Sequence, residues 1–173
     1  EVAQALAEEI NKITDGFFPH IVINHLHGQA HPEQWIELGY TLSKTSLNSG
    51  VLSASNSSIR YLANQLVGVS FATLLAGNRS LGKYIEEQNN SYVCVPSPSN
   101  PSPNNGNYYS GGYITKTFGS RHSGVVDAIQ IELPQWVRAP EERSKFCKAL
   151  AKAVMKFWQT NYCSQFKREF LPC

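Results

Sequence analysis

Three histidines fall within seven residues, His25, His27 and His31, directly after the apolar run Ile21-Val22-Ile23-Asn24. In an extended chain, residues two apart share a face, so His25 and His27 point the same way and His31 can return toward them from the following turn. Imidazoles at this spacing can hold a metal, with zinc as the cofactor to expect, although zinc sites usually draw ligands from several segments. A histidine-rich surface turn is the alternative. A second chemical candidate lies far along the chain, in Val125-Val-Asp-Ala-Ile-Gln-Ile-Glu-Leu133, which reads as the strongest strand and is closed by Pro134. Ile129, Ile131 and Leu133 share one face, which puts Gln130 and Glu132 on the other, with Glu132 near the carboxyl end, where ligands bind in open α/β sheets. A carboxylate there becomes a general base when burial raises its pKa; a salt-bridged structural glutamate is the competing reading.

The elements that must position these residues alternate in type. Val2, Leu6, Ile10 and Ile13 at three- and four-residue spacing predict an amphipathic helix over 1–14, and Ile21–Asn24 reads as a short buried strand. Ile36–Leu42 alternates like a half-covered strand, extended to about residue 43, and further strands are expected at 113–118 and 125–133. Helices are expected at 57–67, 70–76, 80–88 and 139–162, the last with Pro140, Glu141 and Glu142 in its first turn and Phe146, Leu150, Ala153 and Phe157 along one stripe. Residues 96–112 are too rich in Pro, Gly and Asn for either element; a loop of that length in a compact domain is usually functional, and Tyr108, Tyr109 and Tyr113 suggest contact with something. The fold class expected is α/β: a single domain over 1–173, with a mixed, mainly parallel sheet covered by helices and 163–173 as a carboxy-terminal strap.

Composition sets the outer bounds. At 173 residues, with 42% hydrophobic and 16% charged residues, the chain is globular and long enough for one sizeable core. No apolar run approaches the ~18 residues of a membrane span, and a net charge of +2 without a basic stripe gives no reason to expect nucleic acid or a membrane as partner. Three sequons, at Asn56, Asn78 and Asn89, and an even count of four cysteines together favour a secreted, extracellular glycoprotein, and the start at Glu1 reads as a trimmed product. Cys147 and Cys163 sit at the middle and end of the long helix, about 24 Å apart at ~1.5 Å per residue, beyond disulfide reach. Two pairings remain. Cys94–Cys147 with Cys163–Cys173 is preferred for its short tail loop, against Cys94–Cys163 with Cys147–Cys173.

Four ordered motifs, 27–40 (His-Gly-Gln-Ala-His-Pro-Glu-Gln-Trp-Ile-Glu-Leu-Gly-Tyr), 95–103 (Val-Pro-Ser-Pro-Ser-Asn-Pro-Ser-Pro), 110–115 (Ser-Gly-Gly-Tyr-Ile-Thr) and 127–134 (Asp-Ala-Ile-Gln-Ile-Glu-Leu-Pro), resemble the N-formylglutamate amidohydrolase family, which is related to the zinc carboxypeptidases. The resemblance spans about residues 1–162. It implies a reduced zinc-carboxypeptidase-like fold, a zinc ligand at His27, the general acid/base at Glu132, and a substrate-lining loop at Gly111, Gly112, Tyr113 and Thr115. The family's amino-terminal histidine motif and its Asn-Arg pair for the substrate carboxylate have no counterpart in these residues. The implied zinc site is therefore incomplete, with His25 and His31 as local replacement ligands and His122 as a distant one.

Two functions follow from this reading. The first is a secreted hydrolase of a small formyl or acyl substrate, amide or ester, in which loss of the Asn-Arg pair relaxes any demand for a carboxylate. At the far end of that range stands an enol formate whose freed enol is oxidised with emission of light, as in a luciferase. The second is a non-catalytic extracellular glycoprotein for binding, structure or storage on the same scaffold, since fold does not imply activity. A strand and helix fewer than the parent fold would expose apolar edges that a second copy can cover, so a homo-oligomer is compatible with the sequence.

Overall fold

The computed structural model describes residues 26–163 together with the backbone of Ile21–Val22. The expected helix over 1–14, His25, Cys173 and the strap lie outside the described residues. Strands β1 (Ile21–Val22), β2 (Leu26–Gly28) and β3 (Ile36–Gly39) come first, followed by the short helices α1 (Lys44–Ser49), α2 (Arg60–Gln65), α3 (Phe71–Leu75) and α4 (Leu81–Glu86). Strand β4 (Cys94–Val95) leads into the proline-rich loop; then come α5 (Tyr113–Phe118), β5 (Asp127–Ala128), β6 (Gln130–Leu133), α6 (Gln135–Arg138) and the long α7 (Pro140–Trp158), which closes in a π turn at Gln159–Cys163.

The main sheet has four strands in the order β2-β6-β3-β4, with β2–β6 and β3–β4 parallel and β6–β3 antiparallel; β1 and β5 form a separate parallel pair. This is a mixed α/β chain with a mostly parallel sheet flanked by helices. Period-two alternation splits the sheet into two chemically distinct faces. Ile36, Leu38, Ile131 and Leu133 point into a core shared with Leu81 and Ile85 of α4 and Phe146, Leu150 and Phe157 of α7. Helix α7 keeps this apolar stripe inward while Lys145, Lys148, Lys152 and Lys156 stay exposed, and Pro140 with Glu141 and Glu142 starts it.

The short helices are set by serines. Ser43, Ser70 and Ser80 cap α1, α3 and α4, each side chain accepting from the backbone N–H three residues on. The Ser43 cap ends the expected 36–43 strand early, because Thr41 turns into the left-handed region at φ 63° before helix α1 begins. The 113–118 segment is a helix, not the expected strand. Its β-branched residues lower helix propensity by only a few tenths of a kcal/mol, and the chain closes the turn at Gly119, which packs against Ser58 and Ala128 without room for a Cβ.

Asp127, 1% exposed, anchors this region from β5. Its carboxyl accepts from Ser120 Oγ at 2.5 Å, Leu62 N at 3.0 Å and Tyr162 Oη at 2.9 Å, joining the turn after α5 to α2 and the π turn. Burial pushes this carboxyl above the usual aspartate range, and the hydrogen bonds from Ser120 and Tyr162 pull it partly back.

The disulfide expectation is corrected. Cys94 is a fully buried free thiol whose Sγ donates to Tyr92 O at 3.3 Å, and every pairing of four cysteines requires Cys94 in a bond. Cys94 sits in β4 with its side chain in the core, where burial raises the thiol pKa well above its ordinary value and the Glu86 charge adds to the effect.

Candidate active site

The polar face of the sheet carries the candidate chemistry. Register brings His27 of β2 beside Glu132 of β6, and Glu132 beside Glu37 of β3, so three titratable side chains form one row across three adjacent strands. Residues paired across a ladder point to the same side, and neighbours along a strand alternate, so Gln29, Gln130 and Trp35 join the same face.

Glu132 is 6% exposed, and Gln130 Nε2 donates to its Oε1 at 2.8 Å. Burial raises its pKa; the nearby His27 and the Gln130 hydrogen bond lower it, Glu37 raises it, and His31 lowers it again. A desolvated carboxyl answered by histidines is suited to holding and releasing a proton. Among the described residues no Lys or Arg pairs with Glu132 or Glu37; the titratable neighbours of these carboxyls are His27 and His31.

Glu37, fully buried, is held from three sides. Its Oε1 meets His31 Nδ1 at 2.6 Å and accepts from Trp35 Nε1 at 3.3 Å, while Oε2 accepts from Tyr109 N at 2.7 Å. His31 is fixed further by stacking on Tyr109 at 4.6 Å between centroids, and by its backbone N–H, which donates to Gln29 Oε1 at 2.5 Å. Gln29 in turn donates to Trp35 O at 2.8 Å.

The proline-rich loop closes over this face. It is ordered by Asn107 N donating to Glu33 Oε1 at 3.0 Å, Tyr108 Oη to Leu38 O at 2.7 Å and Thr41 N to Ser110 O at 2.6 Å. Gly112 N donates to Gln130 Oε1 at 2.5 Å, which sets the amide so that its nitrogen faces Glu132.

The structure thus gathers His27, His31, Glu132 and the backbone of Gly111 and Gly112 around one row. Tyr113 is 77% exposed at the start of α5, and Thr115 is buried beneath Gly111 with its hydroxyl unpartnered among the described residues. His122 lies apart, in an exposed turn before β5 whose backbone N–H bonds Ser55 O at 3.3 Å. The sequon residues Asn56, Asn78 and Asn89 are all exposed.

Sequence reasoning missed Glu37, Gln29 and Trp35, and singled out Tyr109 only as a contact-making tyrosine of the loop. One signal was available: Ile36-Glu-Leu38 repeats Ile131-Glu-Leu133, and the two tripeptides pair with their glutamates in register. Among the described residues no group of three His, Cys, Asp or Glu side chains is arranged to hold a metal. No family model, curated protein or solved structure matches the chain.

Proposed function

We propose that the chain is a hydrolase of a small formyl or acyl substrate, amide or ester, with Glu132 as its general acid/base, built on a shortened scaffold of the N-formylglutamate amidohydrolase type. The observation that carries this reading is the buried Glu132 carboxyl, raised by desolvation and set in register between His27 and Glu37. Gln130 commits Oε1 of Glu132 and leaves Oε2 for water or a leaving group. A proton held there can pass to the departing amine or alcohol as the tetrahedral adduct collapses. Among the described residues no Lys or Arg is paired with Glu132 or Glu37 to receive a substrate carboxylate, which favours neutral substrates.

Zinc enters this proposal only as a group to be tested. Both Glu37 oxygens are committed to other donors, and the described residues do not converge as three ligands, so no step is assigned to a metal. Metal analysis of protein purified without added zinc decides whether the chain carries one. The reading includes a secretory origin, supported by exposure of all three sequon asparagines and tested by loss of mass on enzymatic removal of N-glycans.

The deciding assay is hydrolysis of formate and acetate esters and of N-formyl amino acids by the wild type and Glu132→Gln. The variant should lose about a hundredfold in kcat, the ordinary worth of one acid–base group. Equal turnover by the two would remove Glu132 from the chemistry, and no turnover by the wild type would favour the non-catalytic glycoprotein.

A further inference from the structure

Resting on that hydrolase reading, we infer that His31 is the base that takes the proton from the attacking water, and that Glu37 is its positioning residue. A reaction that both activates water and protonates a leaving group moves two protons, and Glu132 accounts for one. His31 is held beside the row from three directions. Its Nδ1 is 2.6 Å from a fully buried carboxylate, its ring is stacked on Tyr109, and its backbone N–H is clamped by Gln29. It is bonded to Glu37, which stands in register with Glu132 on the neighbouring strand, so the two groups share one face. A carboxylate can only accept, so Nδ1 must carry the proton; this leaves Nε2 of the neutral ring as a lone-pair base. Glu37 is held in this orientation, because Trp35 Nε1 donates to one of its oxygens and Tyr109 N to the other.

The protons then balance. Nε2 of His31 takes one proton from water as the oxygen attacks the carbonyl carbon, and the carbonyl pair moves onto oxygen. When that pair returns, the bond to the leaving group breaks and the leaving atom takes a proton from Glu132. Transfer from the His31 imidazolium to the Glu132 carboxylate restores both groups, and the sum is acyl compound plus water giving acid plus amine or alcohol.

Nitrogen-15 spectra of labelled histidine in the whole chain, taken at a pH where the ring is neutral, read the tautomer directly. The wild type should show His31 as Nδ1–H. Glu37→Gln should reverse it: the amide oxygen stays on Tyr109 N–H, the shorter of its two fixed donors at 2.7 Å against 3.3 Å for Trp35 Nε1, so its NH2 turns toward Nδ1 and the ring proton moves to Nε2. Turnover of ethyl and p-nitrophenyl formate supplies the second arm. His31→Gln should lower kcat about a hundredfold for both esters, because water activation is common to them. Glu132→Gln should hurt the ethyl ester far more, because p-nitrophenolate leaves without an acid. An Nε2–H tautomer in the wild type, or His31→Gln within twofold of wild type on either ester, overturns the inference. A wild type that shows the Nδ1–H tautomer yet hydrolyses neither ester overturns the hydrolase reading and the base role with it, while leaving the Glu37–His31 pair intact.

Discussion

Gly39→Ala places a single methyl group between the sheet and the loop that covers its polar face. Gly39 ends β3, two residues beyond Glu37 and in register with Gln130, so its missing side chain would point into the row. A Cβ built there stands 2.8 Å from Gly111 N and from Ser110 C, both backbone atoms. Ordinary contact begins at 3.4 Å, so the Ser110–Gly111 backbone must retreat by about 0.6 Å, the difference between those two distances. That retreat strains two short bonds, Thr41 N to Ser110 O at 2.6 Å and Gly112 N to Gln130 Oε1 at 2.5 Å. Overpacking costs about 1–3 kcal/mol, and loss of one of these bonds adds about 1 kcal/mol. The expected destabilisation is therefore about 2–4 kcal/mol, read as a lower urea midpoint at unchanged slope. The same displacement loosens the Gln130 grip on Glu132, and by the scale on which 1 Å costs about a hundredfold, kcat should fall about tenfold. A variant within 0.5 kcal/mol of wild type and with unchanged kcat would show that the loop does not bear on the row, and the account of how Glu132 is positioned would fail.

Glu132→Gln should gain stability as it loses activity. Because the folded-state pKa of Glu132 is raised above 4.5, its contribution is fully present below that pH and is lost as pH rises through the folded value. The uncharged variant escapes this loss and should be more stable near pH 7 by about 0.5–2 kcal/mol, with the difference vanishing at pH 4 in paired urea titrations. Tyr162→Phe removes the donor 2.9 Å from Asp127 Oδ2 and should cost about 1–3 kcal/mol. The deficit should grow as Asp127 ionises with rising pH, and a flat deficit across pH 4–8 would mean that the bond does not favour the ionised form.

Periodicity was informative wherever an element answers to its own neighbours. The stripe Phe146, Leu150, Ala153, Phe157 announces α7, and the alternation of Ile129, Gln130, Ile131, Glu132, Leu133 assigns both faces of β6 and places Glu132 at its carboxyl end. Glu37 escaped notice for a physical reason. On its own strand it reads as a solvent-facing polar residue, and only the return of residues 96–112, with Tyr109 72 positions later, buries it. The same holds for 113–118, where β-branched residues suggest a strand but packing of Gly119 against Ser58 and Ala128 leaves room only for a turn of helix. Even-numbered cysteines suggested disulfides, whereas the core position of Cys94 is a matter of tertiary packing that counting cannot reach.

In the proposed reaction the row depends on a division of labour between rigid and irregular backbone. His27, Glu132 and Glu37 stand on three hydrogen-bonded strands, which fixes their spacing, and His31 is tied to them through Glu37 from the β2–β3 connection. The loop contributes almost no side chain to the row; it contributes two backbone N–H groups, Tyr109 N to Glu37 and Gly112 N to Gln130. Backbone donors cannot exchange roles as an amide or hydroxyl can, so each fixes the polarity of what it touches: Glu37 must accept, and Gln130 must turn its NH2 to Glu132. A carboxylate so fixed dictates the His31 tautomer, and an amide so fixed dictates which oxygen of Glu132 stays open. Loop position and proton position are thus one variable in this fold, which is why a methyl group on Gly39, a residue with no proton to give, should register in kcat.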